Sequence, residues 1–117
     1  MAFDRKQEPE LDPSGFVLLA DQIPGIVQEI RYYTTYNFVG ERVDGYEEPV
    51  AILTREAASA LKEVSDDLAE QGYRLKIYDA YRPQTAVTHF ANWAADTGDT
   101  RMKDYFYPEL DKSVLFS

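Results

Sequence analysis

Apolar residues recur along the chain in two rhythms, and the helical one is the clearer. Between Arg55 and Gln71, Ala57, Leu61, Val64 and Leu68 follow one another at spacings of four, three and four, which puts them on one helix face. Glu63, Asp66, Asp67 and Glu70 lie off that stripe. Thr54 precedes the segment as a good N-cap, Glu56 places negative charge in the first turn, and Gly72 follows as the C-terminal cap. A second helix is predicted to open at Pro83, where a missing N–H costs nothing. Ala86, Phe90, Trp93 and Ala94 give it an apolar face, and Thr97-Gly98 ends it.

The other rhythm is that of strands. Ile26 to Tyr33 is rich in β-branched and aromatic residues, and Tyr73 to Asp79 sets Tyr73, Leu75 and Ile77 opposite Arg74 and Lys76. Phe16 to Leu19 reads as a short strand or a lead-in packed on the body, followed by a turn at Ile23-Pro24-Gly25. Asn37 to Tyr46 holds Gly40 and Asp44-Gly45, so a loop or an irregular hairpin is expected there. Pro49 to Leu53 is a short apolar run into Thr54, and Tyr105 to Pro108 an aromatic loop. Residues 1–14 have no apolar period and predict a flexible tail; residues 15–117 predict one α+β domain, helices packed on a small, mainly antiparallel sheet. The chain closes on Val114-Leu115-Phe116-Ser117 with no turn or cap after it. The expectation is therefore a partial domain that lacks C-terminal strands.

Composition narrows the chemistry. Of the 117 residues 44% are hydrophobic and 14% aromatic, enough for a folded core. A formal charge of −9 repels phosphate backbones and argues against nucleic-acid binding. With no cysteine in the chain, disulfides, thiolate catalysis and cysteine-held zinc are excluded. Phe16 to Ala20 is too short to be a signal-peptide core or a membrane span, so a cytoplasmic protein without membrane contact is expected. Catalytic zinc normally takes three protein ligands, commonly two of them imidazoles, and His89 is the single histidine. No metal site of that kind is expected from this chain by itself.

The most unusual local feature is Asp79-Ala80-Tyr81-Arg82-Pro83-Gln84. Arg82 stands where an N-cap is normally Ser, Thr, Asp or Asn, and the following proline pushes it toward extended backbone. A guanidinium held at a strand-to-helix junction, with Asp79 near in sequence to orient it, is well placed to meet a carboxylate or an oxyanion through its rigid fork of donors. The plainer reading is a surface arginine paired with Asp79.

Tyr78-Asp79-Ala80-Tyr81-Arg82-Pro83-Gln84, followed by Ala86-Val87 and Phe90-x-x-Trp93-Ala94-Ala95, resembles the bacterial D-alanyl-D-alanine dipeptidases of vancomycin resistance and D-alanine recycling. The likeness runs upstream through Tyr32-x-Thr34-x-x-Asn37-Phe38-x-Gly40 and Val43-Asp44-Gly45-Tyr46. Downstream it takes in Tyr105-x-Tyr107-Pro108, Asp111 and Leu115-Phe116. It implies a zinc enzyme in which two histidines and an aspartate hold the metal and a glutamate is general base. Arg82 would match the arginine that stabilises the charged tetrahedral intermediate, a role worth about 10²–10³ in rate. Tyr32 would line the substrate pocket, or else simply pack on a sheet face, and Asp79 would orient Arg82.

The resemblance also implies a Ser-x-His-Ser-x-Gly-x-x-x-Asp segment soon after Leu115-Phe116 and a later Glu-x-x-His. Neither lies in this sequence. Zinc is expected for the full-length family enzyme and none for this chain alone, which is then inactive by itself. His89, beside the apolar face of the second helix, is expected to matter neither to zinc binding nor to rate. Asp96-Thr97-Gly98-Asp99 is a helix stop rather than a calcium loop. Three readings stay open: a piece of a dipeptidase whose ligand is the D-alanyl-D-alanine dipeptide, a catalytically dead module that binds a small ligand or partner through the Arg82 cleft, or an unrelated interaction domain. On the first, the expected partner is the chain's own C-terminal segment or a second copy.

Overall fold

The computed structural model describes residues 14–116, and the tail expected over 1–14 lies outside them except for Ser14. The fold is α+β, built as two compact units. The first takes residues 14–30 and 49–81, the second residues 31–48 and 82–116 among those described.

In the first unit β1 (Phe16–Leu18) pairs antiparallel with β3 (Ile52–Thr54), in register Phe16 to Thr54 and Leu18 to Ile52. The Leu19 N–H extends the ladder to the Ala51 carbonyl at 2.9 Å. The four-residue helix α1 (Leu19–Gln22) follows directly, where the sequence predicted no helix. β2 (Val27–Gln28) pairs in parallel with β4 (Lys76–Ile77), so one sheet is antiparallel and the other parallel, each of two strands. The Gln28 side chain accepts the Ala51 N–H at 2.8 Å. Val17, Leu18, Leu19, Ile23, Ile30, Ala51 and Ala58 form the core.

α2 (Arg55–Glu70) has the ends its sequence predicts. Thr54 Oγ1 accepts the Ala57 N–H at 3.2 Å, which satisfies one of the helix's orphan donors. At the other end Gly72 turns to φ +84°, and the N–H groups of Gly72 and Tyr73 bond back to the Ala69 and Leu68 carbonyls. The buried stripe is rotated by one residue from the predicted one. Ala58 is fully buried and Leu61, Ser65 and Leu68 half-buried, while Ala57 is exposed and Val64 48% exposed. Leu61 and Leu68 belong to both stripes, so periodicity alone did not distinguish them.

Both expected strands are shorter than their apolar runs. The Tyr73 backbone is committed to the α2 cap, which delays β4 to Lys76. Beyond Ile30 the chain, now in the second unit, winds into a 3₁₀ turn over Arg31–Tyr33. There Thr34 Oγ1 and Asn37 Nδ2 donate to the Arg31 carbonyl, at 2.9 and 3.3 Å, and so offer the backbone an alternative to a sheet partner.

The second unit is built on α3 (Gln84–Ala95), whose Ala86, Phe90 and Trp93 are buried as the spacing predicted. Pro83 is its N-cap, so Arg82, read from the sequence as the capping position, stands one residue before the cap. α4 (Lys103–Phe106) occupies part of the expected aromatic loop, and a 3₁₀ turn over Lys112–Val114 follows. Val39, Val43, Tyr46 and Tyr107 complete the core around α3.

Candidate functional site

Arg82 emerges just before α3, exposed to solvent, with its guanidinium resting against two aromatic rings. Its guanidinium carbon lies 5.0 Å from the Phe90 ring centre and 5.3 Å from that of Tyr32, within range of cation–π attraction. The two rings meet edge to face at 5.1 Å. Tyr32 also touches Phe38 at 5.8 Å and Tyr46 at 5.7 Å, so its position is determined by packing on several sides. The sequence-predicted pair Tyr32 and Arg82 are thus neighbours within one unit. Asp79 belongs to the other unit, half-buried in the loop after β4.

Arg82 lines a cleft of about 260 Å³ with Phe38, Phe106, Tyr107, Leu115 and Phe116. The other walls are apolar or aromatic, and Arg82 brings the charge. Such a site suits a small ligand with one anionic or strongly polarised oxygen, which the exposed Arg82 guanidinium can meet with its fork of donors while the apolar walls take the rest of the ligand. Tyr107 is buried, and burial, with the Asp99 charge adding to it, raises its phenol above the usual tyrosine range. Tyr105 in contrast is 70% exposed. The sequence had marked Phe38 as a point of family likeness, Tyr107 as part of an aromatic loop that packs or stacks a ligand, and Leu115-Phe116 as part of the closing apolar run; nothing in their spacing predicted that they share a cleft.

Three polar features give the surrounding loops their shape. Asn37 is buried and uses its whole amide: Nδ2 donates to the carbonyls of Arg31, Thr34 and Glu41, and Oδ1 accepts the Val39 and Gly40 N–H groups. Lys112 is buried too, donating to the carbonyls of Asp96 and Asp99 with its ammonium 3.9 Å from the Trp93 ring centre. It thereby serves the carboxyl end of α3. Asp99 takes two hydrogen bonds from Arg101, at 2.8 and 3.0 Å, which hold its carboxyl below the usual range. That pairing suits the reading of 96–99 as a helix stop.

His89 engages both ring nitrogens. Nδ1 accepts the Asp44 N–H at 2.9 Å, and Nε2 lies 3.0 Å from Glu41 Oε1. A neutral ring protonated on Nε2 satisfies both contacts. Among the described residues no three His, Cys, Asp or Glu side chains are grouped to hold a metal ion. No helix among them is long and apolar enough to cross a membrane.

Comparison with known proteins bears on the segment that carries this site. Residues 12–115 match the model of a peptidase family described as D-ala-D-ala dipeptidase. The chain is 38% identical over 104 residues to a D-alanyl-D-alanine dipeptidase of Enterococcus faecalis, an alignment covering 89% of this chain and 52% of the relative. For the protein of the same name from Enterococcus faecium the figures are 37% over 103 residues, 88% and 51%. A Streptomyces coelicolor D-alanyl-D-alanine dipeptidase is 32% identical over 101 residues, covering 86% of this chain and 50% of the relative. The chain thus spans about half the length of the curated relatives it matches.

Proposed function

The chain belongs to the D-Ala-D-Ala dipeptidase family, and from this premise we propose that it forms the N-terminal, arginine-bearing part of a dipeptidase that hydrolyses D-alanyl-D-alanine to two D-alanines. The observation that carries the reading is Arg82 seated over Tyr32 and Phe90 at the wall of a small apolar cleft. Aromatic faces leave the guanidinium its charge while restricting its orientation, which is what a group aimed at developing negative charge requires. In this role Arg82 meets the oxyanion that forms when the peptide carbonyl is attacked. Tyr32 holds the guanidinium in place and lines the pocket beside it. Asp79 helps to orient the Arg82 segment.

The described residues do not fit the zinc that family resemblance implies. The chain's one histidine is committed on both sides, and the described acidic residues form no metal-holding group. Zinc ligands and general base therefore belong, on this reading, to the part of the domain that the relatives have and this chain does not cover. A cytoplasmic place in cell-wall dipeptide turnover or in glycopeptide resistance follows from the same reading.

The test is complementation. The chain alone is expected to bind zinc no tighter than millimolar and to leave D-alanyl-D-alanine intact. Joined to the remaining part of the Enterococcus faecalis relative, it is expected to hydrolyse the dipeptide. A folded joined protein without activity, or a micromolar one-to-one zinc site in the chain alone by calorimetry, would overturn the proposal.

A further inference from the structure

The loop over residues 41–46 is laid along α3 and fastened at two points one helical turn apart. At the first, Gly45, with φ +93°, lies so close that an added Cβ would collide with Thr85 Oγ1 and come within 2.9 Å of Pro83. At the second, the Asp44 N–H reaches His89 Nδ1 at 2.9 Å while Glu41 meets Nε2 at 3.0 Å. Thr85 and His89 are four residues apart and so share a helix face. The His89 side chain is only 14% exposed, while the Asp44 side of the bond faces solvent.

The same loop fixes the rings that hold Arg82. The Val43 N–H donates to the Tyr32 carbonyl at 2.8 Å, and buried Tyr46 packs on the Tyr32 ring at 5.7 Å. Phe90, the other ring beneath Arg82, follows His89 in α3. A shift of the loop against α3 therefore moves one side of the Arg82 seat against the other. We propose that His89 is a positioning residue for the Arg82 pocket, acting through the 41–46 loop, and that acceptance of the Asp44 N–H by Nδ1 is the contact that does it.

The inference rests on the reading of Arg82 as the substrate-facing group, but its test needs no substrate. Ring currents from Tyr32 and Phe90 displace the Arg82 Nε–H resonance from its free-arginine position, and that displacement reports how the guanidinium sits. In His89→Asn the side-chain oxygen falls near the place of Nδ1, so the Asp44 bond and most of the displacement should survive. In His89→Gln the amide reaches toward the place of Nε2, the Asp44 bond is lost, and most of the displacement should vanish in protein that is still folded by Trp93 fluorescence. A purely structural histidine predicts lower melting temperatures in both variants with the Arg82 resonance unmoved, and that result overturns the inference. Should either variant fail to fold, Asp44→Pro removes the N–H itself at a turn position that favours proline, with Gly45 at φ +93° after it; loss of most of the displacement supports the inference, and an unmoved resonance overturns it. Failure of the oxyanion role is read separately, from Arg82 substitutions in the joined enzyme, and leaves the resonance test intact.

Discussion

A single buried amide at Asn37 gives the 31–41 segment its shape. It offers two donors and one acceptor to five backbone groups in a place where no strand partner supplies them. Asn37→Ala is expected to cost about 2–4 kcal/mol, because five backbone groups, one buried and the rest partly buried, lose a partner at once. Asn37→Asp should rescue little of that, since a carboxylate keeps the Val39 and Gly40 bonds but opposes the three carbonyls. Urea denaturation followed through Trp93 measures both. Arg82 stood out in the sequence because an arginine occupies a strand-to-helix junction where a small polar cap is usual. Lys112 did not, since its partners are main-chain carbonyls and a ring nineteen positions away in sequence, and none of these leaves a mark around residue 112.

Among the elements, α2 was read well at its ends and less well at its face. Caps are local chemistry, so Thr54 and Gly72 announce themselves, and Thr54→Ala should cost about 1 kcal/mol. Which face is buried depends on packing that the sequence does not state. In this chain Val64→Ser is expected to stay within about 0.5 kcal/mol of the parent, as for other exposed sites. Ala58→Leu, which overfills a closed position, should destabilise by about 1–3 kcal/mol. A costly Val64→Ser beside a tolerated Ala58→Leu would restore the stripe read from periodicity. The strands were overextended for a related reason: β-branched and aromatic composition marks a segment fit for a sheet, but side chains and caps that claim the backbone decide how much of it pairs. The α+β class survives that error because it rests on the order of elements.

For the molecule as a whole, acid is expected to loosen the second unit. Asp99, bonded by Arg101, and Asp111, bonded by the Ser113 N–H, both have carboxyl groups held below their ordinary range. They bind a proton less readily folded than unfolded. Their stabilisation is therefore complete above an unfolded value of about 3.9 and is lost as pH falls through the lower folded values. Thermal melts across that window should show stability declining with acid, and Asp99→Asn should flatten part of the decline. A profile in Asp99→Asn as steep as the parent's would remove Asp99 from this account.

The central claim, that this chain brings the oxyanion-stabilising arginine to a dipeptidase site, lives at the scale of the assembled domain and is tested most directly there. In the joined enzyme, turnover of D-alanyl-D-alanine is measured per bound zinc, so that only molecules with a complete site are counted. Arg82→Ala is expected to lower kcat by about 10²–10³ with zinc affinity little changed, because the guanidinium acts on charge that develops in the transition state. Arg82→Lys should recover only part of the loss, keeping the charge without the fork. A fall of less than about fivefold, roughly 1 kcal/mol of barrier, with the loss appearing instead as lower stability, would contradict the claim.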